Sequence, residues 1–249
     1  KGASSPFVRP AAPFPYANSW GMAIIVLTPV ALACFLMARG WLVRGLILVV
    51  GAAMVAPAVA TSNRAMLAAL SLALGYVVVR LAVRDRAVPV LVLTALAVGG
   101  LLWLRASGAL GHIDERGRLG QSTDARLALY AETVDRVLAS PVLGFGAPRP
   151  SADQELSLGT QGHVWAVLFS HGFVGLGLFL VFLWGTTWHT RRAPTDVDVV
   201  LHSVLVATSL AVAVYGLDVM QMFSLVLVAA LLLRRRHALD GPVDRATPA

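Results

Sequence analysis

The chain has 249 residues, 57% of them hydrophobic and 13% charged, with a formal net charge of +7. A soluble domain is nearer half apolar and a quarter charged, so the composition excludes an ordinary soluble fold and points to an integral membrane protein. The basic residues stand beside apolar stretches, so the excess charge reads as membrane topology and not as a nucleic-acid surface, and a single cysteine, Cys34, excludes an internal disulfide and a cysteine-cluster metal site.

The first residue is Lys1, not Met, and no signal-peptide pattern precedes the first apolar stretch, so the chain is expected to be a portion of a longer one. A hydrocarbon core about 30 Å thick needs about 20 apolar residues of helix. Seven stretches are predicted to span: 21–38, 42–60, 65–83, 88–104, 164–187, 198–216 and 219–233, the last of them short. The expected fold is all-α, a polytopic transmembrane bundle forming one membrane domain over residues 1–249.

The connections alternate in character. Arg39 and Arg44; Arg80, Arg84 and Arg86; Arg191 and Arg192; and Arg234, Arg235 and Arg236 fall in one set, which the positive-inside rule makes cytoplasmic. Residues 1–20, the turn "TSNR" (61–64), a long loop over 105–162 and the turn near Asp218 form the other set and face outward. The long loop carries six arginines and seven acidic residues, and a loop of that length crosses whatever its charge. It is read as an extracytoplasmic subdomain, and 237–249 as a flexible cytoplasmic tail.

Within that loop, "STDARLALYAETVDRVLASP" (122–141) predicts an amphipathic helix, capped by Ser122 or Thr123 and ended by Pro141. Leu127, Tyr130, Val134, Val137 and Leu138 form its apolar stripe, with Asp124, Glu132, Asp135 and Arg136 on the polar side. "LGFGAPRP" (143–150) follows as a Gly/Pro turn.

Three outward helix starts carry a cation: Arg64 after Thr61, Ser62 and Asn63; Arg126 in the first turn of the loop helix; and His163 at the fifth span. One cation beside free helix N–H groups means little, but three on one membrane face suggest a bound anion. Arginine suits phosphate because its planar fork donates two parallel hydrogen bonds. The plain alternative for each is a solvated or headgroup anchor. For His163 a helix start favours the neutral imidazole of a general base or substrate hydrogen-bonder; the alternative is an interfacial residue with Trp165 as its aromatic-belt neighbour. His171 is predicted about 12 Å deeper in the same helix, where a helix–helix hydrogen bond is its simplest role.

No phosphate-binding Gly/Lys loop, metal-ligand spacing or nucleophile elbow is present, so no metal and no cofactor are expected. "DVD" (196–198) is like the Asp-x-Asp of nucleotide-sugar enzymes, but a helix N-cap explains it better. "DE" (114–115) is a weak acid/base or metal pair.

In order along the chain, "RPAAPFPYANSWG" (9–21), "TSNRAMLAAL" (61–70), "DARLALYAETVDRVLASPVLGFG" (124–146) and "GHVWAVLFSHGFVGLGLFL" (162–180) resemble the C-terminal part of the O-antigen ligase and O-antigen polymerase superfamily. Asn63 stands where that family often has Ser, and Val164 where it often has Asn. The resemblance implies glycosyl transfer from a polyprenyl-diphosphate-linked glycan to an acceptor hydroxyl on a glycan or glycolipid. The reaction would take place at the outer face of a bacterial inner membrane, without a metal and with inversion. It implies Arg64, Arg126 and Arg9 on the diphosphate and His163 as base or acceptor-positioner, with His171, Asn18 and Asp124 as lesser candidates. Ligase and polymerase share a donor and are not separated. The rivals of other classes are a polyprenyl-linked glycan transporter or flippase, which predicts repeated broken helices and charges at mid-span, and a non-catalytic membrane scaffold.

Overall fold

The computed structural model describes residues 14, 17–55, 58, 64–106, 121–151 and 157–240. Among these the chain is helical: α1 (Ala17–Met37), α2 (Trp41–Ala53), α3 (Arg64–Ala82), α4 (Ala87–Ala106), α5 (Gln121–Val137), α6 (His163–Thr190), α7 (Asp196–Ala211) and α8 (Val219–Asp240). Two two-residue strands, β1 (Arg149–Pro150) and β2 (Ser157–Leu158), pair antiparallel between α5 and α6. Three helices are long and apolar enough to cross a membrane, Asn18–Met37, Ala65–Ala82 and His163–Thr190, and Trp41–Ala53 and Ala87–Gly100 are shorter apolar helices. The chain is thus a helical membrane protein. Apolar residues on the outside of α2 and α4, such as Trp41, Leu46, Leu91 and Leu96, are exposed; a hydrocarbon solvent makes that arrangement favourable.

α7 is the centre of the bundle and packs against α1, α3, α6 and α8. Its buried positions run round the whole helix, Val199, Val200, Leu201, Val204, Leu205 and Ala207 among them, as a helix with neighbours on every side requires. Thr195 caps it: the Thr195 hydroxyl accepts from the Asp198 N–H, and the Asp198 carboxylate accepts from the Thr195 N–H. The Asp-x-Asp stretch therefore supplies the third residue of a capping box, and the cap itself is one residue earlier than the motif.

Buried polar residues fix the register of α3, α6 and α7. His202 Nε2 lies 2.8 Å from the Thr187 carbonyl, which can only accept, so Nε2 carries the proton. Nδ1 then accepts from Tyr76 at 2.6 Å, and the Tyr76 oxygen accepts from Arg80 at 2.7 Å. Tyr76→Phe would strip His202 of its donor and Arg80 of an acceptor. The expected loss is about 1–3 kcal/mol, read as a lower Tm in detergent; an unchanged Tm would show that this chain of bonds holds nothing.

The arginine-rich connections meet at one end. Arg80 donates to the Arg191 and Arg192 carbonyls at 2.8 and 3.1 Å, and Arg84 to the Ala193 carbonyl. Asp196 faces Arg84 and Arg86 at 3.7 and 3.4 Å, and Asp198 faces Arg235 at 2.7 Å. The carbonyls closing α6 carry partial negative charge, which draws these guanidinium groups.

Two predicted elements differ from the sequence reading. The loop helix stops at Val137, where Ala139 and Ser140 donate back to Arg136 and Val137 in a tightened last turn. Its inward face is Leu129, Thr133 and Val137, while Leu127, Val134 and Leu138 are exposed. Thr133 fits that face because its hydroxyl donates to the Leu129 carbonyl at 2.6 Å. At the other end of the chain, α8 runs to Asp240, so residues 237–240 extend the helix and do not belong to a tail.

The fifth predicted span is broken. Gly172 has φ 66° and ψ −168°, a non-helical conformation inside α6. The rings of His163 and Phe179 lie 5.0 Å apart, whereas sixteen residues of straight helix would separate them by about 24 Å. The chain therefore doubles back at Gly172, and only residues 173–190 run on as a span. The turn after α5 seals the elbow: Phe145 and Gly146 N–H donate to the Phe169 and Ser170 carbonyls at 2.9 Å each, and Phe173 N–H donates to the Pro141 carbonyl at 2.7 Å. These bonds satisfy groups that a helix break leaves open.

Candidate functional site

The end of the bundle opposite the arginine cluster collects the helix starts. Gln221 Nε2 donates to the Ser19 carbonyl at 3.2 Å, joining the starts of α8 and α1. His163 and Val164 N–H donate to the Tyr215 and Val212 carbonyls at 2.9 and 3.1 Å, joining the start of α6 to the end of α7. α3 reaches the arginine cluster through Arg80, so its first residue, Arg64, belongs to this end.

His163 is held on three sides. Leu217 N–H donates to its Nδ1 at 3.3 Å. Phe179 meets its ring edge-on. Asp218, in the turn before α8, acts on it electrostatically, and the Asp218 Oδ2 atom is buried without a hydrogen-bond partner. A nitrogen that accepts from a backbone N–H has no proton, so the neutral ring presents Nε2–H as a donor.

The loop helix closes over this place. Tyr130 stacks on Trp165 with centroids 4.2 Å apart and planes 12° from parallel. Its hydroxyl donates to the Gln161 carbonyl at 3.3 Å, and Trp165 Nε1 donates to the Ala213 carbonyl at 3.1 Å. Trp165 is therefore a packing pivot between α5 and the end of α7. Arg126, one turn before Tyr130 and half-buried, acts on the phenol: burial raises the Tyr130 pKa and the Arg126 guanidinium partly offsets this.

Among the sequence candidates, the structure brings Arg126 and His163 to one assembly through Tyr130 and Trp165. Asn18 lies half-buried in the first turn of α1, at the same end. The Arg64 and Asp124 side chains and all of Arg9 lie outside the described residues. His171 is not deep within a span: it is exposed, immediately before the break at Gly172. Sequence reasoning passed over Asp218, whose only signal was an acid between two apolar stretches, "YGLDVM" (215–220). Among the described residues no group of three His, Cys, Asp or Glu could hold a metal. No family model, no curated protein and no solved structure matches the chain.

Proposed function

We propose that the chain transfers a glycan from a polyprenyl-diphosphate carrier to an acceptor hydroxyl, as an O-antigen ligase-like membrane glycosyltransferase. The observation that carries this reading is the Tyr130–Trp165 stack, which holds the Arg126 helix against the His163 start at the end where α3 opens with Arg64. Arg64 and Arg126, with Arg9, bind the diphosphate and stabilise the charge that grows on it as the bond from the anomeric carbon breaks. His163 donates from Nε2–H and positions the reacting oxygens. Asp218 takes the proton of the incoming hydroxyl, the role the sequence reading gave to His163. One displacement inverts the anomeric carbon, and the diphosphate leaves as an anion without a metal.

The same reading sets this end outward in a bacterial inner membrane, with about seven spans and the arginine cluster cytoplasmic. In proteoliposomes loaded with donor and acceptor, Arg126→Ala and His163→Ala are each expected to lower turnover by about 10²–10³-fold. Full activity of both variants, correctly inserted, would refute the assignment. A product ladder would mark the polymerase, and single addition to a fixed acceptor the ligase. One observation favours a transporter instead: the discontinuous α6. Its open backbone groups are bonded by the Pro141–Gly146 turn and do not line a substrate path, which supports the transferase. Movement of labelled lipid across the vesicle wall without covalent transfer would reverse that preference.

A further inference from the structure

At the arginine end, the ends of α6 and α8 and the start of α7 enclose a cavity of about 190 Å³. Its lining includes His189, Arg192, Asp198, Leu232, Arg235 and Arg236. A water occupies about 30 Å³ of liquid, so the cavity has room for a phosphate group. The lining carries three arginines and one carboxylate; that carboxylate, on Asp198, already accepts from Arg235 and from the Thr195 cap, and Arg236 donates to the His189 carbonyl. The cavity is therefore cationic on balance. The Arg192 side chain makes no hydrogen bond or ion pair among the described residues, while its carbonyl is held by Arg80 and Arg84. The loop is thus fixed, and Arg192, exposed and without a side-chain partner among the described residues, is part of the cavity's lining.

Beside the cavity the surface turns apolar. Trp184 and Trp188 on α6 and Leu231 on α8 are exposed, and Arg191 lies over the Trp188 ring at 3.9 Å. Tryptophan and arginine side by side mark the headgroup level of a membrane-spanning helix. Basic pockets between helix ends at that level suit anionic headgroups. We propose that this cavity binds a phosphate group, supplied by the headgroup of an anionic membrane lipid whose acyl chains lie against α6 and α8.

The test uses the detergent-solubilised chain with phosphatidylglycerol, phosphatidylcholine or inorganic phosphate added. Phosphatidylglycerol is expected to raise Tm more than phosphatidylcholine, with one lipid per chain retained in native mass spectrometry. Arg192→Gln/Arg236→Gln should weaken retention at least tenfold. Arg234→Gln removes the same charge from a residue outside the lining and should retain lipid like the parent. Arg192→Gln alone leaves the backbone bonds to Arg80 and Arg84 intact, so its smaller loss of retention supports the site even if the double variant folds poorly. Displacement of lipid by inorganic phosphate, with an equal rise in Tm, would keep the phosphate site and overturn its lipid source. An equal response to both lipids, or undiminished retention in a folded double variant, would overturn the proposal.

Discussion

Gly172→Ala is expected to cost about 2–6 kcal/mol of folding stability. Two independent terms add. The φ and ψ of Gly172 lie in a region open essentially to glycine, and holding another residue there costs on the order of 1–3 kcal/mol. A Cβ at this position would also sit 2.5 Å from the carbonyl oxygens of Pro141 and Val142. Those are backbone atoms, fixed by the bond from Phe173 N–H to Pro141, so relief requires the turn and the elbow to part. Overpacking of this kind costs roughly 1–3 kcal/mol. Gly144→Ala tests the other side of the contact, since its Cβ would lie 2.6 Å from Gly172 N and the Phe169 oxygen, again at positive φ. Gly177→Ala is the control: nothing lies within 4 Å of its Cβ, and alanine is the better helix former by about 0.5–1 kcal/mol. Thermal unfolding in detergent should separate the two classes of variant. If Gly172→Ala unfolds with Gly177→Ala, residues 163–190 form a continuous helix and His163 is not folded back onto Phe179.

That break shows where the sequence stops being informative. The helical membrane class follows from composition and from the length of the apolar stretches, and the long apolar helices α1 and α3 coincide with predicted ones, whereas α6 matches its predicted span in extent but is broken at Gly172. The stretch 164–180 is apolar on every side, so it has no hydrophobic phase to show a reversal. Gly172 shares that stretch with Gly175 and Gly177, and glycine is ordinary in membrane helices. What makes Gly172 different is thirty residues away, in the Pro141–Gly146 turn whose N–H and carbonyl groups meet it. The turn itself was legible from its Gly and Pro, but its partner was not. The inward face of α5 was read only in part, with Tyr130 and Val137 inward as expected and the rest misplaced for a related reason. Leu127, Val134 and Leu138 are as apolar as Leu129 and Val137, and only the position of β2 and residues 163–171 decides which set is buried. His163 could be singled out because a polar residue starts an apolar run. Asp218 could not, because its electrostatic influence on His163 reaches between residues 55 apart across the end of α7.

Asp198→Ala is expected to cost about 1–3 kcal/mol and to loosen the arginine end as a unit. Asp198 is 1% exposed, and its two oxygens serve different partners. Oδ1 accepts from Arg235 at 2.7 Å. Oδ2 accepts from the Thr195 backbone N–H at 3.1 Å and the Thr195 hydroxyl at 2.7 Å. Alanine leaves Arg235 without its counter-charge and opens the cap, a term that alone is about 1 kcal/mol. Asp198→Asn keeps an oxygen for Thr195 but removes the charge and turns an amide NH2 toward Arg235, so the cap survives and its loss should be smaller. A double-mutant cycle with Arg235→Gln then isolates the pair, with an expected coupling of about 1–3 kcal/mol, the range measured for residues in direct contact. The consequence reaches past one ion pair. Asp196 binds Arg84 and Arg86 two residues earlier, so the first turn of α7 ties the end of α3 to the end of α8. The arginines at this end are thereby the fasteners of its central helix. If the coupling is near zero, Arg235 is a solvated topological charge, and Asp198 is kept by the cap alone.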